Sequence, residues 1–303
     1  MSESIIINEV GLRDGLQNQP QLVSTDDKLR LLESLLDAGI RHFEVTSFVN
    51  PKAVPQMADA AELYARLPQR PGVSYSALVA NLRGGERALA AGATRLNVAL
   101  AASDTMNRHN IRMSLPEAVE ETEALIRFGH DHGVTVNAYV ATAFGCPYEG
   151  QVRASVVEEL TARLFGAGAD EVIIADTIGV AGPFEVTRLL GSLVERHGAG
   201  ALSVHFHDTK GLAAANSHAA YQQGIRRFDA AIGGLGGCPF APGARGNAAT
   251  EELVNLFESG GIATGIDLDK LLPAIAVVEQ CVKRASDSRW AAWRRGAKTE
   301  SCS

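Results

Sequence analysis

The sequence has few of the features that mark secreted and membrane proteins. It has 4 cysteines among 303 residues, and no two of them have the CxxC spacing of a structural zinc site. Its wholly apolar runs, such as residues 271–278, are far shorter than the ~18 residues that a membrane-spanning helix needs. Residues 1–10 lack the basic start of an export signal. These absences argue against a disulfide framework and a membrane partner, and they favour a reducing, cytoplasmic compartment.

Positive charge is also scarce. The chain has 28 Lys and Arg against 35 Asp and Glu, a net charge of −7, and no run of basic residues interleaved with aromatic ones. A protein that binds nucleic acid neutralises phosphates with such residues, so nucleic acid is not an expected partner. Since 46% of the residues are apolar, the chain can bury a large core, which indicates a globular protein.

A repeated sequence pattern, together with the β-rich runs between its copies, predicts eight β-strands. In this pattern a helical stretch ends at a glycine and a β-rich run follows, which is typical of a helix C-terminus leading into a strand. The glycines are Gly39, Gly92, Gly168 and Gly224. With the β-rich runs between them, the predicted strands begin near residues 5, 42, 73, 95, 135, 171, 201 and 227. Their mean spacing of about 32 residues is the length of one βα unit.

This alternation predicts an α/β fold, and eight units favour a closed (β/α)8 TIM barrel. Amphipathic patterns fill the gaps between strands, the first of them capped by Ser24 with Asp27 three residues on. A doubly wound sheet is the rival fold, but no GxGxxG fingerprint follows the first strand. No linker divides the chain, so we predict one domain over residues 1–303, with a C-terminal helical extension over about 267–303.

Unusual polar residues collect at the ends of the predicted strands. The carboxyl ends of barrel strands form the active face, so these side chains are expected to converge on one mouth. They are Arg13 and Asp14 after strand one, Glu44 in strand two, Asp176 at the end of strand six, His205 and His207 at the end of strand seven, and Cys238 and Asn247 after strand eight.

The His205-Phe206-His207 segment is the sharpest local feature. Residues i and i+2 of a strand point to the same side, so two imidazoles can share one ion there. Two hydrogen-bonded histidines with no metal are the alternative, but Asp14 and Asn247 are expected at the same mouth and favour a metal site. One carboxylate, two imidazoles and one amide oxygen, with no thiolate, suit Mg²⁺ or Mn²⁺.

Cys238 lies in the glycine-rich segment 233–247. Six of these fifteen residues are glycine, which is typical of a loop that can close over a site. A free cysteine in such a loop, beside a metal, is a candidate proton carrier. Cys146 is a weaker candidate, and Cys281 is expected in the core because it lies in an amphipathic helical pattern.

With these residues in place, the sequence resembles the 3-hydroxy-3-methylglutaryl-CoA lyases, which belong to the metal-dependent barrel lyases and Claisen-type condensing enzymes. Residues 12–17 (LRDGLQ) and 205–216 (HFHDTKGLAAAN) match motifs of that whole superfamily. More specific to the lyases are residues 44–57 (EVTSFVNPKAVPQM), 145–150 (GCPYEG), 176–179 (DTIG) and 236–247. The resemblance runs from Asn8 to about Leu272.

The resemblance implies a divalent-metal-dependent carbon–carbon lyase that releases acetyl-CoA from an acyl-CoA substrate, and it allows a homodimer. It implies that Asp14, His205, His207 and Asn247 hold the cation, that Arg13 faces the thioester, and that Cys238 is the catalytic cysteine. Glu44, Asp176 and Glu251 match lyase positions that support or order the site, and Glu44 and Asp176 are counted among the catalytic residues. Gln17, Lys210 and Glu251 are assigned to the substrate-binding region.

At two positions this sequence differs from the residues that these lyases usually have. Lys210 and Leu212 stand where these lyases have tyrosine and glutamine. Lys210 can either pair with an acidic group of the substrate or point into solvent. Two alternatives therefore remain: the same chemistry on a different branched 3-hydroxyacyl-CoA, and, least favoured, a non-catalytic barrel used as a binding protein.

Overall fold

The structure is a computed structural model that describes residues 3–237 and 246–300 of the chain. Within these residues eight parallel strands close into a barrel, in which each strand pairs with its neighbours in sequence and β1 pairs with β8. The strands are β1 (Ile6–Glu9), β2 (His42–Ser47), β3 (Ser74–Leu78), β4 (Arg95–Ala101), β5 (Thr135–Ala141), β6 (Glu171–Asp176), β7 (Leu202–Phe206) and β8 (Arg227–Ala230). The predicted (β/α)8 barrel is confirmed.

Helices connect successive strands around the outside of the barrel. In the described part of the chain they are α1 (Thr25–Asp37), α2 (Ala60–Ala65), α3 (Leu82–Ala90), α4 (Asp104–Ile111), α5 (Leu115–Asp131), α6 (Ala154–Gly166), α7 (Pro183–His197), α8 (Ala213–Gln222), α9 (Thr250–Ser259), α10 (Leu268–Val282) and α11 (Arg289–Glu300). A small hairpin pairs Gly145–Cys146 with Gly150–Gln151. None of the described helices has the length and apolarity that a membrane crossing requires.

Local sequence signals explain where these elements begin and end. The Ser24 side chain accepts a hydrogen bond from the Asp27 backbone N–H and caps α1, as predicted. Gly39 ends that helix at a φ of +106°, where an added Cβ would lie 2.4 Å from the Gly265 carbonyl oxygen. Only glycine fits this position without strain, so the repeated glycine sets the path from helix to strand.

The C-terminal extension begins at α10, next to its predicted start. Helix α10 packs against α1, and α11 packs against α9. Trp290 and Ala291 of α11 are buried, so this helix is anchored to the barrel by an apolar face. The assignment of all 303 residues to a single domain stays a prediction.

The carboxyl ends of the strands gather four segments that position the site. A helical turn at Gly11–Gly15 follows β1, and a second turn at Ile232–Gly234 follows β8. His207 follows β7 directly, and an isolated bridge pairs it with Asn247. Since β1 and β8 are neighbours in the closed sheet, these segments meet at one mouth.

Candidate active site

Arg13 and Asp14 are presented by the turn that follows β1. Arg13 is buried, and two edges of its guanidinium are held: Nε donates to Glu44 Oε2, and Nη1 donates to Asp14 Oδ1 at 2.8 Å. Glu44 lies on β2 with no exposed surface. Bonds at two edges fix the plane of the guanidinium, so Arg13 is a fixed positive charge at the mouth of the barrel.

The two histidines and Asp14 form one compact cluster. Ligand atoms of Asp14, His205 and His207 all lie within 4.8 Å of one another. His207 Nε2 is 3.8 Å from Asp14 Oδ2, and the two imidazole centroids are 5.2 Å apart. Asn247 joins them, since its Nδ2 donates to Asp14 Oδ2 at 2.8 Å. The four predicted metal ligands therefore meet in space.

This cluster fits a divalent cation. Among the described residues, Asn247 Oδ1 is a buried oxygen with no hydrogen-bond partner, while Nδ2 of the same amide is bound to Asp14 and to the Leu235 carbonyl. An unsatisfied buried oxygen beside a carboxylate and two imidazoles is what an ion would satisfy. The set has one negative charge and mixed nitrogen and oxygen donors, which suits Mg²⁺, Mn²⁺ or another first-row divalent ion.

Charge in the cluster keeps Asp14 ionised. Burial alone would raise the pKa of the Asp14 carboxyl, but the Arg13 guanidinium, the two histidines and the Asn247 hydrogen bond lower it to about 2. Burial lowers the pKa of His205, but the hydrogen bond and charge of Asp229 outweigh burial, so the net shift of the His205 pKa is upward. At neutral pH Asp14 is therefore an anion available to a cation.

Asp229, which was not predicted as a site residue, supports the cluster through His205. It lies on β8, and its Oδ2 is 3.1 Å from His205 Nδ1. Its neighbours Phe228 and Ala230 on the same strand are buried apolar residues. The sequence signal was a carboxylate between two apolar residues of a predicted strand, at a position where alternation can direct the side chain into the barrel.

Glu44 has a similar support that was not predicted. Asn97 on β4 donates from Nδ2 to Glu44 Oε1 at 2.7 Å and contacts Ser76 Oγ on β3 at 3.1 Å. Burial raises the pKa of Glu44 in spite of Arg13. The two partners hold the carboxylate from opposite sides, so Glu44 orients Arg13 and lies behind it rather than in the mouth.

Asp176 and Glu251 bind the backbone of loops at the mouth. Asp176 accepts hydrogen bonds from the Val180 and Ala181 N–H groups, and Glu251 accepts one from Gly233 N–H. Burial raises the pKa of Asp176 to about 6 and that of Glu251 to about 7. These contacts order the loops after β6 and β8, whereas the prediction that Glu251 binds substrate stays a prediction.

Gln17 and Lys210 are the two further residues that were predicted to bind substrate. Gln17 comes just after the first turn, and its Oε1 is buried with no hydrogen-bond partner among the described residues. Lys210 is exposed, and its Nζ donates to the Val180 carbonyl at 2.9 Å. The ammonium group is therefore bound to the loop that Asp176 orders.

Cys238 lies outside the described residues. Gly237, the residue before it, accepts a hydrogen bond from Asn18 Nδ2 at 3.2 Å. Gly246, where the described structure resumes, accepts a hydrogen bond at its carbonyl from Asp208 N–H at 2.9 Å. Gly237 and Gly246 thus lie beside segments of the mouth. Of the other described thiols, Cys146 is buried. Cys281 was expected in the core, but it is only half-buried, so that prediction is wrong.

Comparisons with known proteins agree with the resemblance. The family model "HMGL-like" matches residues 4–278. A hydroxymethylglutaryl-CoA lyase of Bacillus subtilis is 42% identical over 287 residues, which are 95% of this chain and 96% of that protein. The crystal structure of hydroxymethylglutaryl-CoA lyase from Pseudomonas aeruginosa superposes with a TM-score of 0.94 at 39% identity, and it covers 98% of this chain and 99% of the other. An Acinetobacter baumannii HMG-CoA lyase in complex with coenzyme A and 3-methylmalate has a TM-score of 0.91 at 39% identity, covering 95% and 94%.

Proposed function

The chain belongs to the HMGL-like family, and from this membership we propose that it is a divalent-metal-dependent carbon–carbon lyase that cleaves 3-hydroxy-3-methylglutaryl-CoA to acetyl-CoA and acetoacetate. One observation in this chain carries the proposal: the convergence of Asp14, His205, His207 and Asn247 on one point beside the fixed guanidinium of Arg13. A binding protein has no need of a charge held so close to a cation site, so the geometry disfavours the non-catalytic barrel.

The reaction needs two things from the site, a lowered hydroxyl pKa and a partner for the enolate oxygen. A divalent cation held by the four ligands would supply positive charge beside the substrate hydroxyl, which lowers the pKa of that hydroxyl. Arg13 supplies the second need, because its guanidinium is permanently charged and already fixed by Glu44 and Asp14. A group held in place before the reaction loses little free energy in reorganising as charge develops.

A proton acceptor must lie close to the cation site, and His205 and Asp14 are the two candidates. Asp14, with its pKa lowered to about 2, is a weak base. His205 has a pKa raised from its ordinary value. Its Nδ1 is occupied by Asp229, so only Nε2 can accept a proton, and only while Nε2 is not a ligand of the cation. His205 is thus the stronger base of the two, but both residues are also proposed ligands of the cation, so both remain candidates.

We assign the proton donor to the enolate carbon to Cys238. The carbon–carbon cleavage leaves a carbanion equivalent on acetyl-CoA, and a thiol is a suitable donor of the proton that this carbon needs. The support comes from the sequence position and from the two flanking residues, Gly237 and Gly246, which contact segments of the mouth.

A cationic groove on the face of the barrel that bears the proposed cation site suits the nucleotide end of an acyl-CoA. It lies between the loop after β2 and the start of α3, with a volume of about 670 Å³. Lys52, Arg83 and Arg87 line it, and its described lining includes no carboxylate. Arg87 Nη1 donates to the Val49 carbonyl, which fixes one side of the groove. The nucleotide part of coenzyme A carries phosphates and does not react. The three cationic side chains, which lie next to the strand that bears Glu44, can bind these phosphates.

A panel of 3-hydroxyacyl-CoA thioesters, assayed with Mg²⁺ and with Mn²⁺, tests the proposal. The protein should release acetyl-CoA from the methylglutaryl thioester with the highest kcat/KM of the panel and lose this activity with a chelator. Release from no member of the panel in either metal would refute the lyase function.

A different branched thioester is the second candidate, and Lys210 favours it because an ammonium stands where the family usually has a phenol. The same panel decides, since a higher kcat/KM on another thioester would select that substrate. We further propose the cytoplasm as compartment and a homodimer as assembly. Sedimentation of the purified protein tests the second, because a homodimer has twice the chain mass of 32.0 kDa.

A further inference from the structure

Asp229 is a buried carboxylate that three side chains reach. Oδ2 accepts a hydrogen bond from the Tyr139 hydroxyl at 2.7 Å and lies 3.1 Å from His205 Nδ1. Oδ1 accepts one from Asn8 Nδ2 at 2.8 Å. Asp229 is 5% exposed, and the residues that surround it come from three other strands of the barrel. The carboxylate therefore has a single position, set by donors on opposite sides.

The contact with His205 determines which nitrogen of that imidazole bears the proton. A carboxylate only accepts hydrogen bonds, so a hydrogen bond between Asp229 and His205 requires the proton on Nδ1. The lone pair is then on Nε2, and the ring cannot turn without losing its partner. An imidazole that acts at a metal site is typically fixed in this way by a carboxylate on its other nitrogen.

We propose that Asp229 is a positioning residue that holds His205 as the Nδ1–H tautomer, with Nε2 directed to the cluster of Asp14 and His207. The inference rests on the proposed function in one respect, that the cluster holds a divalent cation. It adds a residue that has no contact with substrate and acts through His205 alone.

A polar cavity on the other side of Asp229 supplies a matched control. It opens at the amino ends of the strands, with a volume of about 110 Å³, and both Asp229 and Ser203 line it. Ser203 Oγ is buried and has no hydrogen-bond partner in the described structure. Ser203→Ala therefore alters the same cavity, on the same strand as His205, without removing a hydrogen bond to that imidazole.

The experiment measures Mn²⁺ affinity and the tautomer, with no thioester present. The metal-free proteins are titrated with Mn²⁺ alone and followed by electron paramagnetic resonance. Asp229→Ala should weaken Mn²⁺ binding by about 10- to 100-fold, the usual loss when such a supporting carboxylate is removed, and Ser203→Ala should bind as the unaltered protein does. Asp229→Asn retains an acceptor oxygen and should lose less than Asp229→Ala.

The tautomer is read by ¹⁵N NMR of the histidine-labelled protein, with His205 assigned by its absence in His205→Gln. At a pH at which the imidazole is neutral, the unaltered protein should show Nδ1 protonated and Nε2 unprotonated at His205, and Asp229→Ala should lose this preference. Because the first of these readings does not need Asp229→Ala, it holds even if that variant fails to fold. A neutral His205 with its proton on Nε2 in the unaltered protein, or equal Mn²⁺ affinity in folded Asp229→Ala, would overturn the proposal. Failure of the lyase assay alone would leave both readings intact and would refute only the proposed reaction.

Discussion

His207 is a proposed metal ligand, and its removal should abolish metal binding without disturbing the barrel strands. It follows β7, and its side chain lies against Asp14. His207→Ala leaves the cation with too few protein ligands, so we expect metal content and turnover to fall together. The measurement is bound Mn²⁺ after dialysis against limiting Mn²⁺. The control is His218→Ala, an exposed histidine on α8. Full Mn²⁺ occupancy in His207→Ala would show that the ligand assignment is wrong.

Cys238 is proposed to transfer a proton and not to bind metal or substrate, so a substitution there should affect turnover and leave binding intact. A hydroxyl has a much higher pKa than a thiol, so Cys238→Ser should retain metal and substrate binding and lose about 10²- to 10⁴-fold in kcat. Cys281→Ser, which alters a half-buried thiol on α10, is the control. Near-normal turnover in Cys238→Ser would direct attention to Cys146, whose sulfur lies 3.0 Å from Ser103 Oγ.

At this scale the sequence predicted the residues that meet at the mouth and three that support them, Glu44, Asp176 and Glu251, but it did not predict Asp229 and Asn97. Asp14, His205 and His207 could be placed because each stands at the end of a predicted strand. Asp229 and Asn97 could not, because their importance depends on which interior side chains face each other across the closed barrel. That pairing is a matter of register between strands distant in sequence, and no local pattern encodes it.

The loop after β2 and helix α3 together form the cationic groove. Arg83 is exposed at the first turn of α3, so its removal should leave the fold unchanged. If the groove binds the phosphates of coenzyme A, Arg83→Ala should raise KM several-fold with little change in kcat, since the lost contact is equal in ground and transition states. Steady-state kinetics on the thioester measures both. Arg127→Ala on α5 is the control, and an equal KM in the two variants would contradict the assignment.

The segment between β7 and α8 contains Lys210 and Leu212, the two residues that differ from those usual in the family. Lys210 binds the loop that Asp176 orders, so a change at this position can reshape one wall of the mouth. If these residues select another acyl group, Lys210→Tyr combined with Leu212→Gln should raise kcat/KM for the methylglutaryl thioester and lower it for the native substrate. The thioester panel measures both values. An unaltered protein that already prefers the methylglutaryl thioester, with no change in the double variant, would end the idea of altered specificity.

Elements were predicted where a strong local signal marks their ends. The glycines before four strands predicted their starts within one residue, because a positive φ at a helix end is nearly specific to glycine. The turn Gly11–Gly15 and the hairpin at Gly145–Gln151 were not predicted as elements. Each is too short for a periodic pattern, and tertiary contacts at the mouth determine its shape.

Glu9 connects the first and last units of the barrel and should make the stability of the whole molecule depend on pH. Its Oε1 accepts the N–H groups of Gly11 and Ile232, and its Oε2 accepts the hydroxyl of Thr250. Burial raises the pKa of Glu9 from 4.5 to about 7. Between these values the folded protein retains a proton that the unfolded chain has lost, so the free energy of unfolding falls as pH rises from about 4.5 to about 7.

Glu9→Gln tests this dependence. Glutamine can accept the two backbone hydrogen bonds and donate to Thr250, but it does not ionise. The Tm of Glu9→Gln relative to the unaltered protein should therefore rise between pH 5 and pH 8, by an amount that corresponds to at most about 3 kcal/mol. Thermal unfolding at a series of pH values measures the difference. A Tm difference that is constant with pH would show that Glu9 is ionised throughout this range.

The identity and ratio of the products from one thioester test the proposed lyase reaction itself. Purified protein loaded with Mg²⁺ or Mn²⁺ is given 3-hydroxy-3-methylglutaryl-CoA, and acetyl-CoA and acetoacetate are both quantified, with His207→Ala as the blank. A metal-dependent lyase should form the two products in a 1:1 ratio, only with metal and at a negligible rate in the blank. Acetyl-CoA or free coenzyme A without acetoacetate, or product formation that survives both the chelator and His207→Ala, would contradict the proposed reaction.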